Sequence, residues 1–373
     1  MKKLVIIQNS IKTTCLFRAN YIRKFLEQEG KVVIIAPNDC PTSYDKLIAM
    51  GCDIPNILTP TNLVRKIVAV LVMNFHILQQ RFSGENKLFV CHFLVTYLST
   101  FFSLIPFNKQ VFLSIEGLGS LYKENSLLSR LIIKMINRKN VVRIFCNSNE
   151  RELVGQPDDW VAGGIGVDID SFLPQAKRVE ESPSSFTLLY VGRLIGDKGA
   201  YDAISVFKTL CQHRDDVNLV MVGDIYPNNP SSFSNDDISK LKKEFGERLT
   251  FAGYVNDPRA WYDKADVLLL PSRREGFPVC VMEASAMGVP SICFKVPGCE
   301  DAIQDNENGY LAPFGDIQAM AALTEHALVP DNLVKLRRSS REYACHHFSD
   351  KDKSSAFLAY ILNCGVNAKN KQQ

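Results

Sequence analysis

Two carboxylates and two cations, each pair at a short fixed spacing, are the residues of this chain best placed to do chemistry. Glu275 and Glu283 stand in LPSRREGFPVCVMEASAMGVPS, residues 270–291. Arg193 and Lys198 stand in GRLIGDKG, residues 192–199. Cations at that spacing across a strand-to-helix turn can both reach one diphosphate, Arg193 as a planar fork and Lys198 as a point charge. Between Gly276 and Ser291, Glu283 is the only ionisable side chain apart from Cys280. A carboxylate in such apolar company either finds hydrogen-bond donors, because burying it alone is costly, or faces solvent on the outer side of its helix. Acidic acceptors beside a helix start that can hold an anion suit a phosphate-bearing sugar.

The elements that must position these groups follow from the pattern of apolar runs. Ala265 to Leu270, broken by Asp266, predicts a buried parallel strand delivering the Glu275 loop, with Pro278 in the first turn of a helix ended by Gly288 and Pro290. Phe186 to Val191 predicts the strand that delivers Gly192 and Arg193, and Ala200 to Cys211 the helix after it. Strands at Asn218–Val222, Leu249–Ala252, Val267–Leu270 and Ser291–Phe294, and a helix at Asn235–Phe245, complete a strand–helix alternation, the signature of a parallel sheet.

The first half repeats the scheme. A strand at Leu4–Gln8, a helix at Leu16–Gln28 and a strand at Val32–Ala36 form one right-handed unit. The loop Asn9–Cys15 between them lacks glycine, so it is no dinucleotide fingerprint, but Lys12, Thr13, Thr14 and Arg18 offer donors at a strand's carboxyl end, where ligands bind in open sheets. A strand ending at Ile115 sets Glu116 and Gly117 at an equivalent position. Ile144–Asn147 is one more strand, and Gly163–Pro174 reads as a glycine turn followed by an Asp-capped short helix leaving the first domain.

At 373 residues, with 46% apolar and 22% charged side chains, the chain reads as a two-domain globular protein. Eleven cysteines without a C-x-x-C pair indicate neither a disulfide framework nor a zinc ribbon. The opening Met1–Gln8 has no signal-peptide core, which predicts a cytoplasmic protein. Leu88–Phe107 is long enough to span a bilayer, yet it splits into a strand at Leu88–Cys91 and a buried helix at Thr96–Leu104. Residues 1–165 hold 20 Lys and Arg against 12 Asp and Glu, the remainder 23 against 28, so the first half can face an anionic partner. Leu63–Gln80 and Leu127–Arg143 read as basic, apolar helices. The second, with Arg130, Lys134, Arg138, Lys139 and Arg143 around its apolar row, suits a helix on a membrane surface or an internal helix with a solvated basic face. Ser354–Leu362 is a last apolar helix, and Asn363–Gln373 a polar tail.

GRLIGDKG, FAGYVNDPRAWYDKADVLLLPSRREGFPVCVMEASAMGVPSICFKVPG and ENGYLAPF, in that order, resemble the fourth family of nucleotide-sugar glycosyltransferases. The resemblance implies retaining enzymes of the GT-B fold, an α/β architecture of two Rossmann-like domains facing across a cleft. It divides the chain into an acceptor-binding domain (1–165), a donor-binding domain (166–349) and a C-terminal helix returning to the first domain (350–373). It implies that Gly192, Arg193 and Lys198 hold the donor diphosphate, that Glu275 meets the donor sugar and Glu283 the ribose. Gly276, Phe277, Pro278 and Val279 would line sugar and phosphates, and the turn at Tyr254 and Val255 the base.

Arg193, Lys198 and Glu275 are thereby the expected catalytic groups, with Lys12, Thr13, Arg18, Glu116 and Gly117 on the acceptor side. Many members carry a His where this chain has Glu116, and IEGLGSLY is closer to members acting on lipid-linked oligosaccharides of bacterial surface polysaccharides. The implied partners are a nucleotide-sugar, UDP favoured, a polyprenyl-diphosphate-linked saccharide and an anionic membrane surface. Neither metal, other cofactor nor nucleic acid is among them. The expected place is the cytoplasm, peripheral on the inner face of the cytoplasmic membrane. A nucleotide-sugar epimerase and a non-catalytic partner subunit are the competing readings; a hydride-transferring enzyme lacks its G-x-G-x-x-G.

Overall fold

The computed structural model describes residues 2–83, 87–105, 110–119, 122, 126–175 and 185–370. The chain divides into two compact units, one of residues 1–165 and 351–373, the other of residues 166–350.

Unit 1 is built on a parallel sheet in the order β2-β1-β3-β4-β5-β6, from β1 (Lys3–Ile7), β2 (Lys31–Ile35), β3 (Lys87–His92), β4 (Val111–Ile115), β5 (Val141–Phe145) and β6 (Trp160–Val161). Its central strands are apolar on both faces because both are covered. Val5, Ile7, Val33 and Ile35 face one core, and Leu4, Ile6, Val32 and Ile34 the other. The first core is roofed by α3 (Leu63–Phe82), α4 (Leu94–Leu104) and α5 (Leu127–Ile136); the second by α1 (Ile11–Glu27), α2 (Pro41–Ala49) and the C-terminal helix, which runs Asp350–Asn370. That helix docks in unit 1 through Lys353 Nζ, 2.8 Å from the Ala162 carbonyl, and through Phe357 against Tyr21, His92 and Trp160.

Several expectations change here. Helix α1 opens at Ile11, not Leu16, because Ser10 caps it: its hydroxyl accepts from Thr13 N at 3.1 Å and donates to Asp39 at 2.5 Å. Lys12 and Thr13 therefore lie in a helix's first turn and not in a loop. Arg143 sits in β5, paired with Asp159 at 2.6 Å, and so leaves the basic helix, which ends at Ile136. Gly163–Pro174 contains turns closed on Asp168, whose carboxylate accepts from Asp170 N and Ser171 N, and no helix. The polar stretch from Asn363 continues the last helix to Asn370. Leu88–Phe107 does split, into β3 and α4; its Pro106 and Phe107 lie outside the described residues, as do Ser120 and Leu121 of IEGLGSLY.

Unit 2 carries a second parallel sheet, β12-β11-β10-β7-β8-β9, from β7 (Phe186–Val191), β8 (Val217–Val222), β9 (Leu249–Gly253), β10 (Val267–Leu270), β11 (Ser291–Phe294) and β12 (Gly309–Ala312). From β7 the chain winds outward through β8 and β9, then returns to the other side of β7 as β10. That reversal opens a crevice at the carboxyl ends of β7 and β10, the usual ligand position in open α/β sheets. Asp266, which breaks the apolar run before β10, is buried and satisfied: it accepts from Thr187 N at 2.6 Å and pairs with the buried Arg337.

Arg337→Leu strands the Asp266 charge in the core. It is expected to cost about 3–5 kcal/mol and lower the unit 2 thermal transition by about 10 °C in calorimetry. A shift within a degree or two would show that the pair contributes little.

Candidate functional site

The two loops at the β7/β10 crevice carry the charged groups singled out by their spacing. Beyond β7, Gly192 N donates to Val222 O, Arg193 lies exposed over the Tyr226 ring, and a 3-10 turn at Gly196–Lys198 leads to helix α7 (Ala200–Leu210). Beyond β10, the loop through Glu275, Gly276 and Phe277 reaches Pro278, the N-cap of α10 (Val279–Ala286). The loops are stitched together: Arg273 N donates to Asp197 O at 3.0 Å, and Ser272 Oγ to Lys198 O at 3.4 Å.

That contact, and the approach of the segment after β11 to the Glu275 backbone, are possible only where side chains are missing. A Cβ at Gly199 would lie 1.9 Å from the Pro271 carbonyl oxygen, and one at Gly298 2.6 Å from that of Glu275. Both glycines also hold positive φ, +71° and +80°, which L side chains rarely adopt.

At this junction Lys198 Nζ lies 2.7 Å from each oxygen of Glu275, whose side chain is 9% exposed. An ammonium has three N–H donors, so a grip on one carboxylate leaves capacity for another acceptor. The amino terminus of α10 adds a partial positive charge at the end of the Glu275 loop.

Glu283, on α10, finds its donor in Tyr262, at the end of α9 (Arg259–Tyr262): the phenol gives its proton to Oε2 at 2.8 Å. Burial lifts the Glu283 carboxyl to about 7, against the opposing pull of that hydrogen bond. The solvated outer-face alternative is thus excluded. Tyr262 went unremarked in the sequence; an aromatic hydroxyl following the β9 turn was its only signal. Tyr254 is 60% exposed and Val255 half-buried at that turn, where Gly253 accepts from Gly223 N at 2.9 Å.

Unit 1 reverses its winding between β1 and β3, and a second polar cluster forms at the same end of its sheet. Arg18 is buried and places Nη2 2.5 Å from both oxygens of Glu116. His92 Nδ1 lies 3.0 Å from Glu116 Oε1, and Tyr21 OH 2.9 Å from His92 Nε2. Ser114 Oγ adds a donor to Glu116 at 2.9 Å. A single neutral tautomer satisfies the chain, with Tyr21 donating to Nε2 and Nδ1–H donating to the carboxylate. Burial opposes the Glu116 charge, but Arg18 and the His92 hydrogen bond outweigh it and hold the carboxyl down to about 2. Burial, aided by the Arg18 charge, holds His92 down to about 4.

Of the acceptor-side candidates, then, Arg18, Glu116 and Gly117 come together, while Thr13 spends its hydroxyl on Gln8 Nε2 and the Ser10 carbonyl. Lys12 N is bound by Asp39 at 3.0 Å. His92 was the residue missed. It enters from the neighbouring strand, beside Ser114 in the β3–β4 register, a pairing no local pattern reveals.

Both depressed groups make unit 1 sensitive to acid. The unfolded chain takes up a proton at His92 below its ordinary value of 6.5 and at Glu116 below 4.5, before the folded chain does, so stability falls with pH from about 6.5 down to about 2. Glu116→Gln is expected to cost about 3 kcal/mol at neutral pH, by stranding Arg18, and to flatten the loss below pH 4.5. Thermal melts across pH check this, and a variant that tracks the wild-type profile would contradict it.

Comparison with known proteins adds a partial family match and a fold. Residues 174–347 match the family described as glycosyl transferases group 1. The capsular polysaccharide biosynthesis glycosyltransferase CapM of Staphylococcus aureus is 28% identical over 173 residues, which are 45% of this chain and 44% of that protein. The N,N'-diacetylbacillosaminyl-diphospho-undecaprenol alpha-1,3-N-acetylgalactosaminyltransferase of Campylobacter jejuni is 24% identical over 322 residues, 79% of this chain and 81% of that one. The crystal structure of Anabaena HepE with UDP and glucose superposes with a TM-score of 0.73 at 14% identity, covering 97% of this chain and 99% of its own. The chain spans less than half the length of several curated relatives it matches. The structural likeness fixes the fold as GT-B, with two Rossmann-like domains.

Proposed function

We propose that this chain, whose residues 174–347 match the family described as glycosyl transferases group 1, moves one sugar from a nucleotide-sugar to a saccharide carried on a polyprenyl diphosphate. The observation that carries the reading is the Lys198–Glu275 pair at the β7/β10 crevice, with Arg193 exposed on the Lys198 loop and the α10 amino terminus at the end of the Glu275 loop. The donor is a UDP-sugar and the configuration at its anomeric carbon is retained. The relative named for an undecaprenyl-diphosphate acceptor and the neighbour solved with UDP and glucose support the substrate classes. Such an acceptor places the reaction at a membrane, on its cytoplasmic side.

In this reading Lys198 and Arg193 bind the diphosphate, Gly192 lets it approach the backbone, and Glu275 orients Lys198 and meets the donor sugar. Gly276, Phe277, Pro278 and Val279 flank sugar and phosphates. Glu283, steadied by Tyr262, accepts from the ribose hydroxyls, and Tyr254 and Val255 flank the base. In the transfer the bond from C1 to the diphosphate oxygen breaks as C1 bonds to the acceptor oxygen on the same face. The acceptor hydroxyl proton passes to a donor phosphate oxygen. Negative charge grows on the departing diphosphate, where preorganised cations stabilise the transition state more than the ground state. The reading asks no metal of the protein. Arg18, Glu116 and Gly117 form a rigid wall on the acceptor side, with Arg18 and Glu116 neutralising each other.

Lys198→Ala, Arg193→Ala and Glu275→Gln are each expected to slow transfer by about a hundredfold or more while the protein keeps a cooperative melt, and a chelator to leave the wild-type rate intact. Near-normal transfer by Lys198→Ala would remove the diphosphate assignment. Conversion of the donor sugar without acceptor, read by NMR, would replace the reading with an epimerase.

A further inference from the structure

The loops at the β7/β10 crevice leave a cation without an acid. Lys198 is matched by Glu275 at 2.7 Å, whereas Arg193 stands exposed and no carboxylate among the described residues pairs with it. Its guanidinium carbon lies instead 5.4 Å from the centroid of the Tyr226 ring. The attraction of a cation to an aromatic face is electrostatic and draws on the ring quadrupole. A carboxylate partner would take up N–H donors and cancel the charge; the ring does neither, and all five N–H groups of the guanidinium stay available.

Backbone contacts fix where that ring stands. Tyr226 follows β8, in a loop knitted to the Arg193 loop: Leu194 N donates to Asp224 O at 3.0 Å, Gly196 N to Ser231 O at 2.9 Å and Phe233 N to Leu194 O at 2.9 Å. At the root of the two loops a Cβ on Gly223 would lie 1.8 Å from Gly192 O, so their close approach requires glycine. Tyr226 N donates to Ser232 Oγ at 2.7 Å, its carbonyl accepts from Asn229 N at 2.8 Å, and Pro227 disfavours a helical backbone at Tyr226. Asp224, the acid of this loop, turns Oδ1 to Ile225 N at 2.8 Å. The loop thus presents a ring, and not a carboxylate, to Arg193.

We infer that Tyr226 is a positioning residue for the donor diphosphate, its ring holding the Arg193 guanidinium in place with the N–H donors left for phosphate oxygens. The inference rests on the donor reading of this crevice and adds to it a residue from a third loop. A ring in this role needs no hydroxyl, so phenylalanine serves nearly as well as tyrosine and an aliphatic side chain does not. Because Arg193 is exposed, the effect is a few-fold one, and it acts only through Arg193.

Titration calorimetry of the full chain with UDP tests this through a double-mutant cycle. Tyr226→Leu is expected to weaken UDP binding by about fivefold, and Tyr226→Phe to bring it back to within about twofold of the wild type. Arg193→Ala is expected to weaken binding by about tenfold or more. In that background Tyr226→Leu is expected to change nothing further, a coupling that a merely structural loop residue would not show. Undiminished binding by Tyr226→Leu, equal losses from the Phe and Leu variants, or the same loss from Tyr226→Leu with Arg193 absent as present would overturn the inference and leave the donor reading in place. UDP binding that Arg193→Ala leaves unchanged, or none by the wild type, would instead remove the diphosphate assignment and this inference with it.

Discussion

A lysine held on a glutamate at the meeting of two loops is the contact on which unit 2 turns. Lys198 and Glu275 are 77 residues apart in sequence and 2.7 Å apart in space. They meet because the chain, having wound outward from β7, returns beside it as β10, so that the loops following two adjacent central strands open side by side. The two loops reach contact distance only because Gly199 has no side chain, and the segment after β11 closes on the Glu275 backbone only because Gly298 has none. The pair in turn fixes a half-buried ammonium against a buried carboxylate, where its field is screened less than in water. Sheet order, two glycines and one ion pair thus form a single chain of dependence.

Unit 1 has a reversal of its own, yet the chemistry placed there is of another kind. Arg18, Glu116, His92 and Tyr21 satisfy one another, with the arginine and carboxylate charges cancelling and the histidine held neutral. Such a cluster gives a stiff, polar wall and little net field. The positive excess of the first half of the chain is displayed elsewhere, including the outer sides of α3 and α5. Unit 2 gathers cations at its crevice, whereas unit 1 carries exposed cations on its helices.

What was legible in the sequence follows from how local each signal is. Asn235–Phe245, Val267–Leu270 and Ser291–Phe294 were readable to the residue, since buried strands and a capped helix announce themselves within a few positions. Glu275 and Lys198 stood out in the sequence only jointly, because both follow strands that the alternation sets at one sheet edge, and the structure brings them to 2.7 Å. The start of α1 was not, because the cap on Ser10 is completed by Asp39 from beyond the next strand. Nor was the fate of Arg143, whose partner Asp159 follows a further helix. His92 needed the register of β3 against β4, and Tyr262 needed the depth of α10; both are properties of packing and not of pattern.

The most direct test of the central claim is a thermal-shift titration of the purified protein with UDP, GDP, CDP and ADP, run beside Lys198→Ala. A ligand at about a hundred times its dissociation constant stabilises by ~2.7 kcal/mol, enough to move a transition visibly. The account predicts a rise in melting temperature with UDP that Lys198→Ala abolishes or pushes to at least about tenfold higher concentration. An equal rise in both proteins, or no rise with any nucleotide, would contradict the placing of a nucleoside diphosphate at the β7/β10 crevice.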